Sequence, residues 1–168
     1  LLDRVHKKAY CALSPRADEE LVIEFCVYFD YLPVIFTANQ TVDGHRMPIY
    51  HTNVMMALAE NFAVICLDTI DDKNEKKNVI KHLKEDNKEI ITITETQMNH
   101  FAGNMLQVKG TDKKYMVMSA AAHKSLTVNQ ISAIEKHCEI LSSDLETIET
   151  CGGGSARCMM AEVFLPIR

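Results

Sequence analysis

The most suggestive place for chemistry in this 168-residue chain is the run Cys151-Gly-Gly-Gly-Ser-Ala-Arg-Cys158-Met-Met160, close to the C-terminus. The chain has only six glycines, and Gly152, Gly153 and Gly154 account for half of them. A phosphate-binding loop would need a Gly-Lys-Ser/Thr and a helix start, and neither follows. Two readings remain open. The run is a flexible linker, or it lets the backbone adopt positive φ and pass close to a ligand. A thiol directly after such a loop, ahead of an apolar stretch, is placed to act as a nucleophile. A lone cysteine beside a strand can equally be structural, and the spacing alone does not separate the two.

A nucleophilic cysteine needs a partner that helps to form thiolate and moves protons. There are seven histidines. His6, His82, His123 and His137 fall on strand surfaces or charged helices and read as solvated. His45 lies in the turn DGHRMP, and His100, in MNHFAGN, sits next to a loop and stays open. His51 is different: in PIYHTNVMM it stands at the start of a strand, with Asn53 two residues on. A metal site built from His137, Cys138 and Cys151 has no ligand spacing to support it.

These residues must be held by a fold. The apolar fraction of 47% and charged fraction of 24% describe a globular chain long enough for one domain with a real core. A net charge of −5 argues against a nucleic-acid surface, and no apolar run reaches membrane-spanning length. The six cysteines include no C-x-x-C pair, and Cys11, Cys26 and Cys66 lie in apolar runs and read as buried free thiols. This is the usage of a reduced, cytoplasmic protein.

The chain repeats itself. KKAYCALS from Lys7, NFAVICLD from Asn61 and KKYMVMSA from Lys113 share one pattern, with Ala9, Ala63 and Tyr115 spaced by 54 and 52 residues. Asn53-Val-Met-Met and Asn104-Met-Leu-Gln precede the second and third copies at a spacing of 51. A helix signal follows each copy: Asp18 to Asp30 with Leu21, Val22, Phe25 and Phe29; Asp71 to Asp86 with Val79, Ile80 and Leu83 inward; and a capping box at Thr127 to Gln130 with Ile131, Ile134 and Cys138. PVIFTA, EIITIT and EILSS then read as returning strands. The unit is ββαβ in about 50 residues, the first copy lacking its opening strand. The expected pieces of one domain over residues 1–168 are partial modules at 1–40, 53–94 and 104–143, and a closing strand at 158–165. Such repeats predict an α/β propeller with helices outside and chemistry where the blades converge.

Taken together, IYHTNVMM, FAVICLD, MNHFAGNMLQV and TIETCGGGSARCMMAEVFLP resemble the guanidino-group-modifying (pentein) superfamily: arginine deiminase, dimethylarginine dimethylaminohydrolase and the amidinotransferases. The bacterial citrulline-utilisation hydrolase branch is the most similar. The resemblance runs along essentially the whole chain. It implies an α/β propeller of about five ββαβ modules, of which this chain covers about the C-terminal half. It assigns Cys158 as nucleophile and His51 as general acid/base. Asn53 and Gly152 to Gly154 are implied to bind substrate, with no metal and no other cofactor. The implied activity is that of a hydrolase acting on linear amidines, arginine-like guanidino or ureido compounds, through a covalent cysteine intermediate. An amidinotransferase using the same intermediate and a non-catalytic propeller relative are the alternatives.

Two departures bear on substrate. The family often has His-x-Asp where this chain has His51-Thr-Asn53, so a charge expected to hold the guanidinium is absent at that position. Other acidic residues of the family site come from upstream modules. The expected partners are therefore a small guanidino or ureido compound together with a second copy of the chain or an upstream N-terminal segment. Residues 1–168 alone are expected to be inactive.

Overall fold

A computed structural model of the chain describes residues 1–164. The first unit is a short strand β1 (Leu2–Asp3), β2 (Lys8–Leu13), helix α1 (Glu19–Phe29) and β3 (Leu32–Thr37). A hairpin follows, β4 (Asn39–Val42) and β5 (His45–Pro48), turned by Asp43 and Gly44 at φ 49° and 78°. Such a pair of left-handed residues suits a two-residue turn, and Asp-Gly supplies it. The second unit has a single helical turn α2 (Thr52–Met55), β6 (Met56–Leu58), β7 (Phe62–Ile65), α3 (Lys73–Glu85) and β8 (Glu89–Thr92). After α4 (Glu95–Asn99), the third has β9 (Leu106–Lys109), β10 (Lys114–Ser119), α5 (Ala120–Ser125), α6 (Val128–Glu135) and β11 (Glu139–Ser143). Helix α7 (Glu146–Gly152) and a 3-10 turn, Ala156–Met159, lead to the end of the described chain.

Each unit makes one three-stranded sheet, ordered β1-β2-β3, β6-β7-β8 and β9-β10-β11. The first two strands of each sheet pair antiparallel, and the helix returns the chain to a parallel third strand. That is the ββαβ pattern the repeats predict. The central strands β2, β7 and β10 run buried, and a methionine-rich core (Met55, Met56, Met105, Met116, Met118) joins Tyr10, Phe36 and Phe62. Local signals set the helix limits. Asp18 and Asp72 accept N–H bonds from the first turns of α1 and α3, and Asp30 closes α1 at φ 57°. Capping boxes at Thr94/Gln97 and Thr127/Gln130 open α4 and α6. No helix among the described residues is long and apolar enough to cross a membrane.

Several expectations need correction. The first unit does have its opening strand: Leu2 and Asp3 pair with Ala9 and Lys8. The opening strand of the second unit starts at Met56 rather than at Asn53, because residues 52–55 close a helical turn first. The closing strand expected over 158–165 is not a strand at 158–164. Residues 156–159 coil into the 3-10 turn, and residues 160–164 join no ladder; Leu165 lies outside the described residues. A strand needs a partner for its backbone groups, and residues 158–164 pair with none of the described strands. In α1 only Cys26 is buried, while Leu21, Phe25 and Phe29 are exposed along with Val27 and Tyr28 at about four-fifths of their surface. The apolar spacing made a helix, but its wider face has no described neighbour to cover it. Cys11 is half-buried rather than buried.

Candidate active site

Helix α7 decides between the two readings of the glycine run. Gly152 is the helix's last residue, and Gly153, at φ 67°, caps it in the left-handed conformation with its N–H bonded to the Glu149 carbonyl at 3.2 Å. Gly154 has another task. A Cβ there would lie 3.1 Å from Cys158 Cβ and 3.3 Å from Sγ, so the glycine lets the backbone press against the thiol. Buried Ser155 donates its hydroxyl to Glu149 at 2.6 Å and accepts the Cys158 N–H on its carbonyl at 3.0 Å, which pins the turn that presents Cys158. The run is a helix cap followed by a close approach, not a linker.

His51 caps α2 at its N-terminus with an extended backbone, and its carbonyl accepts the Val54 N–H at 3.0 Å. Thr52 Oγ1 accepts the Ala12 N–H at 2.9 Å, tying this turn to the core strand β2. The His51 ring is exposed and packs edge-on to Tyr50, with ring centres 4.9 Å apart. Asn53, in the first turn, directs Nδ2 to Cys158 Sγ at 3.7 Å.

Cys158, His51, Asn53, Gly153 and Gly154 line one cavity of about 160 Å³. Gly152 faces away from it, its Cβ position meeting only Ile148 at 4.0 Å. The polar side chains that complete the lining are Gln40 from β4, Tyr50, Asn99 and Asn104, so the described lining contributes no carboxylate. His51 and Asn53 also border a neighbouring cavity of about 490 Å³ shared with Arg4, Arg157 and Glu162.

Asn104 is the residue that sequence reasoning missed. Its Nδ2 lies 3.2 Å from Cys158 Sγ and 3.2 Å from the Asn53 carbonyl, and its Oδ1 accepts the Arg157 N–H at 3.0 Å. The one available signal was its place in the repeat, 51 residues after Asn53.

The other thiols and imidazoles are accounted for elsewhere. Burial pushes the Cys26, Cys138 and half-buried Cys11 thiols up, and pushes Cys66 to about 11, which suppresses thiolate in all four. Cys151 is exposed on α7. His100 bonds its Nδ1 to the Thr96 carbonyl at 2.8 Å and borders a different cavity, with Lys124 and Glu149. His137 stacks on Phe62 and reaches Glu89 at 3.0 Å, and His6 reaches Asp3 at 3.0 Å. His82 is not solvated as expected. Its ring is partly buried beside Lys8, and burial first, then that cation, lowers its affinity for a proton. Of the residues once considered for a metal, Cys138 is buried with Sγ toward the Ile134 carbonyl and His137 is held by Glu89. The arrangement that does assemble is an accessible thiol and an imidazole around one small space, with amides aimed at the sulfur.

A family model described as N,N dimethylarginine dimethylhydrolase, eukaryotic, matches residues 1–165. No curated protein matches the chain. The product-bound crystal structure of the N-terminal domain of ArgZ, an arginine dihydrolase from the ornithine-ammonia cycle in cyanobacteria, resembles it with a TM-score of 0.69 at 16% identity, over 94% of this chain and 52% of that one. A variant of the same domain carries a covalently bound reaction intermediate, at the same TM-score and identity. Unliganded AgrE gives a TM-score of 0.74 at 19% identity, over 100% of this chain and 22% of that one. At such identities the likeness is one of fold, and the chain spans about half the length of the ArgZ domain. The match over residues 1–165, on a chain that carries the motifs of the guanidino-group-modifying superfamily and folds like these structures, makes it a member of the N,N dimethylarginine dimethylhydrolase family.

Proposed function

We propose that this chain carries the cysteine–histidine part of a hydrolase acting on linear amidines, arginine-like guanidino or ureido compounds, through a covalent cysteine intermediate. The observation that carries the reading is the single cavity shared by Cys158, His51 and Asn53, residues of two segments 105 positions apart in the sequence. The resonance-stabilised carbon of a guanidino group is a weak electrophile. Cys158 thiolate attacks it, forming the S–C bond, and the tetrahedral adduct collapses with loss of ammonia or an amine. His51 gives the departing nitrogen its proton, then takes one from the water that attacks the thiouronium carbon, and thiolate leaves. A cationic substrate beside the sulfur favours its charged form. The absence of a carboxylate from the described lining also supports the ureido reading, because neutral Asn and Gln groups can bond a neutral substrate without leaving a charge unpaired.

In this reading the three sheets are blades of an α/β propeller, with further blades contributed from outside the chain. The exposed Leu21, Phe25, Val27, Tyr28 and Phe29 of α1 support association with an N-terminal segment that covers that face. The test is to incubate the full-length protein with arginine, methylated arginine, agmatine and citrulline and to assay ammonia, amine and ureido product. Turnover of at least one compound is expected, with His51→Ala trapping a covalent adduct on Cys158 visible by intact mass. No turnover of any, with a haloamidine reagent labelling Cys151 before Cys158, would overturn the reading.

A further inference from the structure

Asn104 makes three side-chain hydrogen bonds to two segments distant in sequence, the turn around Asn53 and the turn holding Arg157 and Cys158. The Arg157 backbone N–H can only donate, so it fixes which end of the amide is oxygen. The amide nitrogen is therefore turned toward the Asn53 carbonyl and Cys158 Sγ, each at 3.2 Å. The residue is 3% exposed, so this orientation is not averaged by solvent. The backbone around it is equally committed. A Cβ on Gly103 would lie 2.3 Å from the Val54 carbonyl oxygen, so only glycine lets this loop lie against α2, and Phe101 takes φ 64° to enter it. Asn53 and Asn104 hold matching places before the opening strands of successive units, and both amides converge on the same sulfur at 3.7 and 3.2 Å.

We infer that Asn104 is a positioning residue for Cys158: it clamps the Cys158 turn to the His51–Asn53 turn and presents to the sulfur an N–H that gains strength when the sulfur is charged. The inference rests on the reading of Cys158 as the nucleophile. A thiol is a weak acceptor, whereas a charge-assisted bond is roughly twice as strong as a neutral one. The amide accordingly favours the reactive form while adding no charge of its own.

The experiment is alkylation of the full chain by iodoacetamide, followed cysteine by cysteine by peptide mass spectrometry across pH, with Asn104→Asp as the main variant. Aspartate keeps the shape and still accepts from the Arg157 N–H, but it has no N–H for the sulfur and sets a negative charge beside it. At about pH 7 the variant should alkylate at Cys158 roughly tenfold more slowly or worse, and the deficit should close toward about pH 10. Cys151 in the same molecules should be unaffected, and Cys26 and Cys66 should stay unlabelled while the fold holds. A Cys158 rate equal to the parent's across the whole pH range overturns the inference. If Cys26 and Cys66 become labelled, the variant has unfolded, and the unsubstituted chain decides. There Cys158 should outpace Cys151 at about pH 7 by roughly tenfold, narrowing as pH rises, and equal rates overturn the inference. None of these readouts needs turnover, so a protein inert toward every amidine in the substrate panel loses the proposed activity without deciding this point.

Discussion

Two polar clusters in this chain handle charge in opposite ways. Where β1 meets the second unit, Asp3 Oδ2 lies 2.9 Å from Lys88 Nζ, with 4% and 1% of their side-chain surfaces exposed. Lys88 also donates to the Ala59 and Glu60 carbonyls at 3.0 and 2.8 Å, and Lys8 pairs with Asp86 at 2.8 Å. Around Cys158 the groups bonded to the sulfur are neutral amides. Asp3, His6 and Asp86 come close enough to suggest a metal site, yet the two lysines already answer their carboxylates. A buried charge with its partner in place is a staple between sheets. The Cys158 thiol, bonded by uncharged donors and open to a cavity, has no ionic partner among the groups bonded to it. The number of titratable groups in a cluster is thus a poor guide to function; what matters is whether they are already paired.

The contrast breaks first if Cys158→Ser remains active. It should lose ~10³-fold or more in turnover, because a hydroxyl ionises far less readily than a thiol. Steady-state assay of the substrate panel checks this, and a variant within tenfold of the parent would take the nucleophile elsewhere. Next in size is the staple. Lys88→Ala leaves Asp3 buried without its cation and should cost about 3–5 kcal/mol of stability in a denaturant titration, while Cys158 of the folded fraction alkylates at the parent's rate. A loss below about 1 kcal/mol would mean that solvent reaches the pair.

Asn53→Asp sharpens the comparison by moving a charge from one kind of cluster into the other. It should favour guanidinium over ureido compounds by about 1–2 kcal/mol in binding, through a charge-assisted bond. Equal effects on both substrate classes would reduce Asn53 to a helix-turn residue. The smallest effect is in acid. Burial works to raise the Asp3 carboxyl, but hydrogen bonds from Lys88 and His6 outweigh it and hold the carboxyl below its ordinary value. Its stabilising contribution is therefore whole above about pH 4 and is lost as the pH falls through the lower folded value. Stability measured against pH should fall less steeply there in Asp3→Asn than in the parent, and parallel curves would refute the pairing.

Much of the fold was legible because its signals act within a turn or two. Asp18 and Asp30, Asp86, and Thr127 with Gln130 mark helix limits through bonds to adjacent backbone, while the start read at Asp71 falls one residue later, on Asp72. The apolar runs around Tyr10, Val64 and Met116 become the buried central strands, and their spacing exposed the repeat. Motifs singled out Cys158 and His51, which the fold brings to one cavity. Where the reading slipped, a neighbour decided. The face of α1 was read from periodicity, which fixes which side chains share a side but not whether anything packs on them. The segment after Met159 has β-prone residues, but a strand forms only where another offers its backbone.

By itself, then, the sequence determined the ββαβ units and most of their helix caps, and it singled out Cys158 and His51 as candidates, since each of these readings rests on residues close together along the chain. Only the tertiary structure decided that Gly153 ends a helix while Gly154 lies against the thiol, and that Asn104, 54 residues before Cys158 and 51 after Asn53, meets both. Those contacts depend on how one unit's loop packs against the next. Gly103 permits that approach by lacking a single carbon atom, and the identity of its partner, the Val54 carbonyl, exists only in the folded chain.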